Sequence, residues 1–215
     1  YNKFQKPIPQ FLGNDIKSFK IFEELCGKFN YHEVNINMGC PFSKITNRGL
    51  GAGLLINHLE TQKLLDEIFT TSKLNISVKC RIGIDNTDEF LKIINILNNY
   101  PLVEIIIHPR FASQLYKGDI KYDDFKKIVP EIKHNLCYNG DIFNNKDIER
   151  IQKDFPEIDR FMIGRGILTN PFLVYQIFDK ELSDSDKRAK MLDFQVFMIE
   201  LCKEKYSGDI SVIKR

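Results

Sequence analysis

Val34-Asn35-Ile36-Asn37-Met38-Gly39-Cys40-Pro41 is a short apolar run, partly β-branched, that ends abruptly in a polar, turn-forming cluster. Four later apolar runs end the same way, in Lys79-Cys80-Arg81, His108-Pro109-Arg110, Asn139-Gly140-Asp141 and Gly164-Arg165-Gly166. Together with a run at 8–12, they predict strands at 34–38, 76–82, 103–108, 136–139 and 161–164. Their starts recur at intervals close to the ~30 residues of a βαβ unit. Between them, 16–29, 55–72, 88–97, 122–132 and 146–153 carry apolar residues at helical spacing. Alternation of this kind predicts an α/β fold with a parallel sheet.

The placing of the polar clusters chooses between two architectures. A doubly wound sheet gathers its ligand at one switch point and has no need of chemistry on five strands. A (β/α)8 TIM barrel brings every strand's C-terminal end to one mouth, and this is the fold expected. Six strands leave two of the eight unaccounted for. The last two strand ends are glycine-rich, which suits the phosphate-binding loops that follow barrel strands seven and eight. The barrel is therefore expected to lack its first two strands. Tyr1 in place of an initiator methionine agrees with a trimmed piece of a longer protein.

Beyond Asn170-Pro171-Phe172 the pattern changes. Ser183-Asp184-Ser185-Asp186 is a polar break with capping residues, followed by an amphipathic helix at 187–206. The expected division is a barrel domain over 1–182 and the start of a small helical domain over 183–215.

Composition excludes several classes. Hydrophobic residues make up 43% and charged residues 28%, which is not the balance of a disordered chain. No apolar run approaches the ~20 residues that span a membrane. The net charge of +2 neither announces nor excludes nucleic acid. Cys26, Cys40, Cys80, Cys137 and Cys202 are scattered without a CxxC pair or zinc spacing, which reads as a reduced, intracellular protein without a metal site.

Cys40 read alone is a small hydrophobe at a turn. Within its polar cluster it becomes a thiol available as nucleophile, general acid or redox group, and the residues alone do not choose among these. Lys79 and Arg81 share one face of their strand, and cations on an inner strand need an anionic partner. His108 and Arg110 repeat the arrangement, which points to a ligand rich in carbonyl and phosphate oxygens. Arg48-Gly49-Leu50-Gly51-Ala52-Gly53 is GxGxG rather than GxGxxG and lies far beyond its strand. It is a weak nucleotide signal and predicts a flexible loop leading into a helix.

The segment VNINMGCPFSKITNRGLGAGLL resembles the signature of the tRNA-dihydrouridine synthases, which are FMN-containing (β/α)8 enzymes. PQFLG, SVKCRIG, IIIHPRF, YNGDI and FMIGRGILTNPFL match that family in order, from about residue 8 to residue 175. The resemblance implies that Cys40 is the catalytic acid. It implies that Gln10, Lys79, His108, Asn139, Asp141, Gly164 and Arg165 bind FMN. Asn37 and Arg110 would lie near the flavin or the target base, and Lys44 would face RNA phosphate. The implied reaction reduces uridine in tRNA to 5,6-dihydrouridine. NADPH (or NADH) reduces FMN, the flavin passes hydride to carbon-6 of the uracil, and Cys40 protonates carbon-5. A fixed cation such as Lys79 suits the anionic reduced flavin, and the uridine must turn out of its stack. The implied partner is tRNA, in the cytoplasm, with a monomeric enzyme that has no obligate protein partner and no membrane association. The family's first two strands and most of its helical domain have no counterpart here. Two other readings share the residues. One is an FMN barrel acting on a small pyrimidine, like a dihydroorotate dehydrogenase; the other is a non-catalytic RNA-binding relative. The helical extension disfavours the first, and intact Cys40, Lys79 and His108 disfavour the second.

Overall fold

The computed structural model of the chain describes residues 7–205. Tyr206, at the expected end of the last helix, lies outside them. Six strands form one sheet: β1 (Gln10–Phe11), β2 (Glu33–Met38), β3 (Asn75–Arg81), β4 (Glu104–His108), β5 (Leu136–Tyr138) and β6 (Arg160–Phe161). Every neighbouring pair is parallel and the order is β1-β2-β3-β4-β5-β6. A doubly wound sheet reverses its order at a switch point, and no reversal occurs here. Strands laid down consecutively in one direction are the staves of a barrel wall. The wall is open: among the described residues, β1 and β6 do not pair.

The helices are α1 (Ile16–Lys28), α2 (Ser43–Thr46), α3 (His58–Thr71), α4 (Thr87–Leu97), α5 (Tyr122–Ile128), α6 (Asn145–Asp154), α7 (Arg165–Thr169), α8 (Leu173–Ile177) and α9 (Asp184–Lys205). Their starts follow capping chemistry where it can be seen. The Asp15 carboxylate accepts from Ser18 N at 2.9 Å ahead of α1, and Asn86 Oδ1 accepts from Glu89 N ahead of α4. In α4, Phe90, Ile93, Ile94 and Leu97 recur at helical spacing and are buried.

The strand register separates two chemically different faces, because side chains alternate along a strand. Phe11, Ile36, Val78, Ile105 and Leu136 form one lateral row; Met38, Cys80, Ile107, Tyr138 and Phe161 form another on the same face. The helices take this apolar side. Phe19 and Phe22 of α1 pack on Phe11 with ring centroids 5.3 and 5.4 Å away, and Phe125 of α5 packs edge-on against Tyr138 at 5.3 Å. The opposite face is polar. Its rows run Gln10, Asn35, Ser77, Glu104, then Asn37, Lys79, Ile106, Cys137, Arg160, and finally Arg81 and His108. Burial of apolar area against the helices drives the fold, and it leaves the interior of the wall lined with groups that need polar partners.

By internal contacts the described chain divides into two compact units, residues 7–142 with 147–164, and residues 143–146 with 165–205. The second unit holds α7, α8 and α9. Ser183 Oγ accepts from Asp186 N at 3.1 Å and caps α9. Along α9, Leu192, Phe194, Val196 and Phe197 are exposed. No described helix is long and apolar enough to cross a membrane.

Candidate active site

The polar face of the wall and the loops that follow its strands bring Gln10, Asn37, Cys40, Lys79, His108, Arg110, Asn139 and Asp141 into the first compact unit. Gly164 closes that unit; Arg165 opens α7 and is described with the second.

A chain of amides sets the left side of the face. Ser77 Oγ donates to the Val34 carbonyl and accepts from Asn35 Nδ2 at 3.0 Å. Asn35 Oδ1 accepts from Gln10 Nε2 at 2.7 Å, and Gln10 Oε1 accepts from Asn37 Nδ2 at 2.7 Å. Asn37 Oδ1 then accepts two backbone hydrogens, from Gly39 N at 3.0 Å and Cys40 N at 2.9 Å. Each donor fixes the orientation of the next amide. The last member of the relay shapes the turn that carries the Cys40 thiol, which is partly exposed.

The loop expected to be flexible is instead the support beneath that turn. Gly51–Leu55 is a 3-10 helix and every residue in it is buried. Ala52 N donates to the Cys40 carbonyl at 3.0 Å. Gly51 has φ +56, and a Cβ there would lie 2.7 Å from Cys40 Cβ and 2.8 Å from Cys40 O. The glycine therefore serves close packing. Gly51→Ala combines a left-handed backbone with a clash against main chain. It is expected to destabilise the full-length protein by about 1–3 kcal/mol in urea unfolding. A change within ~0.5 kcal/mol would mean that the turn over Gly51 is not tightly held.

The cations of β3 differ in what they meet. Arg81 is buried; its Nε donates to the Gly39 carbonyl at 3.1 Å and Nη1 to the Phe111 carbonyl at 2.9 Å. Two of its five N–H hydrogens thus go to main-chain carbonyls, and no carboxylate pairs with it among the described residues. It ties together the loops after β2 and β4 and lies 5.3 Å from the Tyr116 ring centroid. Lys79, two residues earlier on the same face, is half-buried, and no carboxylate lies within ion-pair distance of it among the described residues. Burial, with the neighbouring Arg81 charge, holds its ammonium below the ordinary lysine value.

His108 is nine-tenths buried, and its Nδ1 has no hydrogen-bond partner among the described residues. Burial first, then the charges of Arg81, Lys79 and Arg110, push its pKa down to about 3, with Asp141 opposing. The ring is therefore neutral. Between ~6.5, where an unfolded histidine titrates, and about 3, the unfolded chain binds a proton that the folded chain refuses. Stability from this group is present above that window and falls as acid is added, by at most ~1.4 kcal/mol per pH unit. Urea unfolding from about pH 7 to pH 5 should show a steeper loss for the wild type than for His108→Gln. Parallel slopes would contradict a buried neutral ring.

Asn139, also buried, donates from Nδ2 to the Met162 carbonyl at 2.7 Å and so bridges to the end of β6. Among the described residues, a Cβ on Gly164 would meet nothing within 4 Å. Lys44 is exposed on α2, one turn beyond Cys40. Sequence reasoning passed over Asn35 and over the rim aromatics Phe42 and Tyr116. The two rings lie 6.4 Å apart and each is about half exposed. Asparagine at alternate positions of β2 was the available signal for Asn35; two isolated aromatics give none. Among the described residues no three His, Cys, Asp or Glu side chains converge as metal ligands.

An inner face carrying an unmatched ammonium and an orphaned buried imidazole nitrogen suits a ligand rich in anionic and carbonyl oxygens. The polypeptide is 32% identical over 186 residues to the probable tRNA-dihydrouridine synthase of Helicobacter pylori, covering 84% of this chain and 54% of that protein. It is 26% identical over 210 residues to the probable tRNA-dihydrouridine synthase 2 of Bacillus subtilis, covering 95% and 62%. It is also 29% identical over 141 residues to tRNA-dihydrouridine synthase B of Pasteurella multocida, covering 65% and 42%. The chain thus spans between 42% and 62% of the length of these relatives. Among solved structures, morphinone reductase, a TIM barrel, superposes with a TM-score of 0.56 at 13% identity, over 79% of this chain and 50% of that one. That likeness is one of fold. The family model described as dihydrouridine synthase (Dus) matches residues 2–214, nearly the whole sequence, and the chain belongs to the dihydrouridine synthase family.

Proposed function

We propose that this chain forms the flavin-binding and catalytic part of an enzyme that reduces uridine in tRNA to 5,6-dihydrouridine, with FMN as flavin and NADPH (or NADH) as reductant. The observation that carries the reading is Lys79: a half-buried cation on the polar face of the wall, without a carboxylate partner, beside a histidine whose Nδ1 lacks one too. FMN offers both the oxygens and the negative charge that these groups lack. When bound, FMN would relay hydride from the nicotinamide to carbon-6 of the uracil.

The protein's own groups have separate tasks. Lys79 Nζ neutralises negative charge at the flavin's pyrimidine end. His108 at the end of β4, Asn139 just after β5 and Gln10 on β1 hydrogen-bond to it. Gly164 leaves backbone open to phosphate, with Arg165 as its cation and Asp141 at the neighbouring strand end. Cys40 Sγ holds a proton and delivers it to carbon-5 of the uracil, after which solvent restores the thiol. Asn37, whose Oδ1 already grips the Cys40 turn, keeps that thiol in register with the base. Lys44, exposed beside it, meets RNA phosphate. Residues 1–182 would supply the flavin site and 183–215 the beginning of the helical part that grips tRNA. The enzyme would act as a monomer in the cytoplasm, where its tRNA substrate lies.

The test compares substrates. Full-length protein purified with its flavin should oxidise NADPH in the presence of unmodified tRNA and leave orotate and free uridine unreduced. Turnover on a small pyrimidine with none on tRNA would transfer the reading to a small-molecule flavin barrel.

A further inference from the structure

A guanidinium has five N–H donors and no acceptor, and in Arg110 all five end on protein groups. Nε and Nη2 donate to the Gly118 carbonyl at 3.1 and 2.8 Å. Nη1 and Nη2 grip the two carboxylate oxygens of Asp141, Nη1 at 3.0 Å. The remaining Nη1 hydrogen meets His108 Nε2, 3.4 Å away. Arg110 is only 3% exposed. It has no hydrogen left for a flavin or a base, so a role other than ligand contact must explain a buried charge at this place.

The histidine contact supplies that role. An arginine nitrogen cannot accept, so His108 Nε2 is the nitrogen that carries the lone pair. A neutral imidazole has one N–H, and here it falls on Nδ1, the buried nitrogen without a partner. The groups facing the ring are Lys79 and Arg81 from β3, Arg110 from its own loop and Asp141 from the loop after β5. Burial first, and then three cations against one carboxylate, keep the ring neutral, and the carboxylate is already bound to Arg110. Asp141 reaches that position in a left-handed backbone conformation, φ +43, directly after Gly140. A Cβ on Gly140 would lie 3.1 Å from Pro109 Cδ, the residue between His108 and Arg110, so the two loops are closely apposed.

We propose that Asp141 and Arg110 are a positioning pair that locks neutral His108 in its Nδ1–H tautomer, so that the ring presents a hydrogen-bond donor, not an acceptor, to the oxygen-rich group held on the inner face. The identity of that group rests on the FMN reading above; the tautomer is a property of the flavin-free protein.

Nitrogen NMR on the full-length protein, labelled at histidine and stripped of flavin, reads the tautomer directly. His108→Gln removes two signals and so assigns them. The wild type should show an unprotonated Nε2 and a protonated Nδ1, unchanged from about pH 8 to pH 5. Arg110→Met should move both nitrogens toward the averaged values of exchanging tautomers and weaken FMN binding by about tenfold, the loss of one oriented hydrogen bond. Arg110→Lys keeps one donor near Nε2 and should restore part of both effects. A protonated Nε2 or averaged signals in the wild type would overturn the proposal, and that spectrum requires no variant to fold. Arg110→Met with unchanged histidine signals would overturn it as well. A correct tautomer in a protein that reduces no uridine would leave this inference standing and remove the substrate reading alone.

Discussion

Cys40→Ala is expected to leave FMN bound and NADPH oxidation intact while dihydrouridine formation falls by about 10²–10⁴, the range associated with a positioned general acid. The thiol is placed by its own main chain: the N–H of Cys40 and of Gly39 both donate to Asn37 Oδ1, and the Cys40 carbonyl accepts from Ala52 N. Removing only Sγ keeps those contacts, so the turn and the flavin face beside it should persist. Parallel assays of flavin content, NADPH consumption and modified nucleoside separate the two halves of the reaction. Wild-type product from Cys40→Ala would remove Cys40 from the chemistry, whereas loss of flavin as well would give it a structural role.

Lys79→Met should have the second large effect, on the flavin itself. The ammonium is half-buried without a carboxylate partner, and burial already works against its charge. A bound anion reverses that cost. Charge-assisted hydrogen bonds contribute roughly 1.5–3 kcal/mol, so FMN should dissociate about 10–100-fold more readily from the variant. Methionine preserves most of the stem volume, which keeps the neighbouring wall packed. Because an isolated buried cation is costly, flavin-free Lys79→Met should be at least as stable to urea as the flavin-free wild type. Unchanged FMN affinity would mean that Lys79 faces something other than the flavin.

The six strands were legible because each lies in a short apolar run closed by turn residues, and that signal survives without tertiary information. The outer two are shorter than their apolar runs predict. The runs at 8–12 and 161–164 shorten to Gln10–Phe11 and Arg160–Phe161, since each has a ladder partner on one side only. The helix expected over 55–72 begins later, at His58, and Leu55 instead ends the 3-10 turn Gly51–Leu55. Glycines that look flexible in sequence are buried there because Cys40 and Thr46 leave no room for a side chain. Cys40, Lys79 and His108 were identifiable from polar residues standing at the ends of apolar runs. The partners that decide the behaviour of Arg81 and Arg110 were not. They are main-chain carbonyls of Gly39, Phe111 and Gly118, and a carboxylate 31 residues distant from Arg110. Main-chain acceptors have no letter in a sequence. This is why Lys79 and Arg81, alike in one dimension, differ in the fold: Arg81 donates to two main-chain carbonyls, and Lys79 meets no carboxylate among the described residues.

Nucleoside mass spectrometry of unmodified tRNA, incubated with NADPH and the flavin-loaded full-length protein, decides whether the enzyme reduces uridine. Uridine is expected to gain two hydrogens at a defined position, with Cys40→Ala giving at least about a hundredfold less product. A protein that binds FMN and oxidises NADPH yet leaves every uridine of the tRNA at its original mass would contradict it.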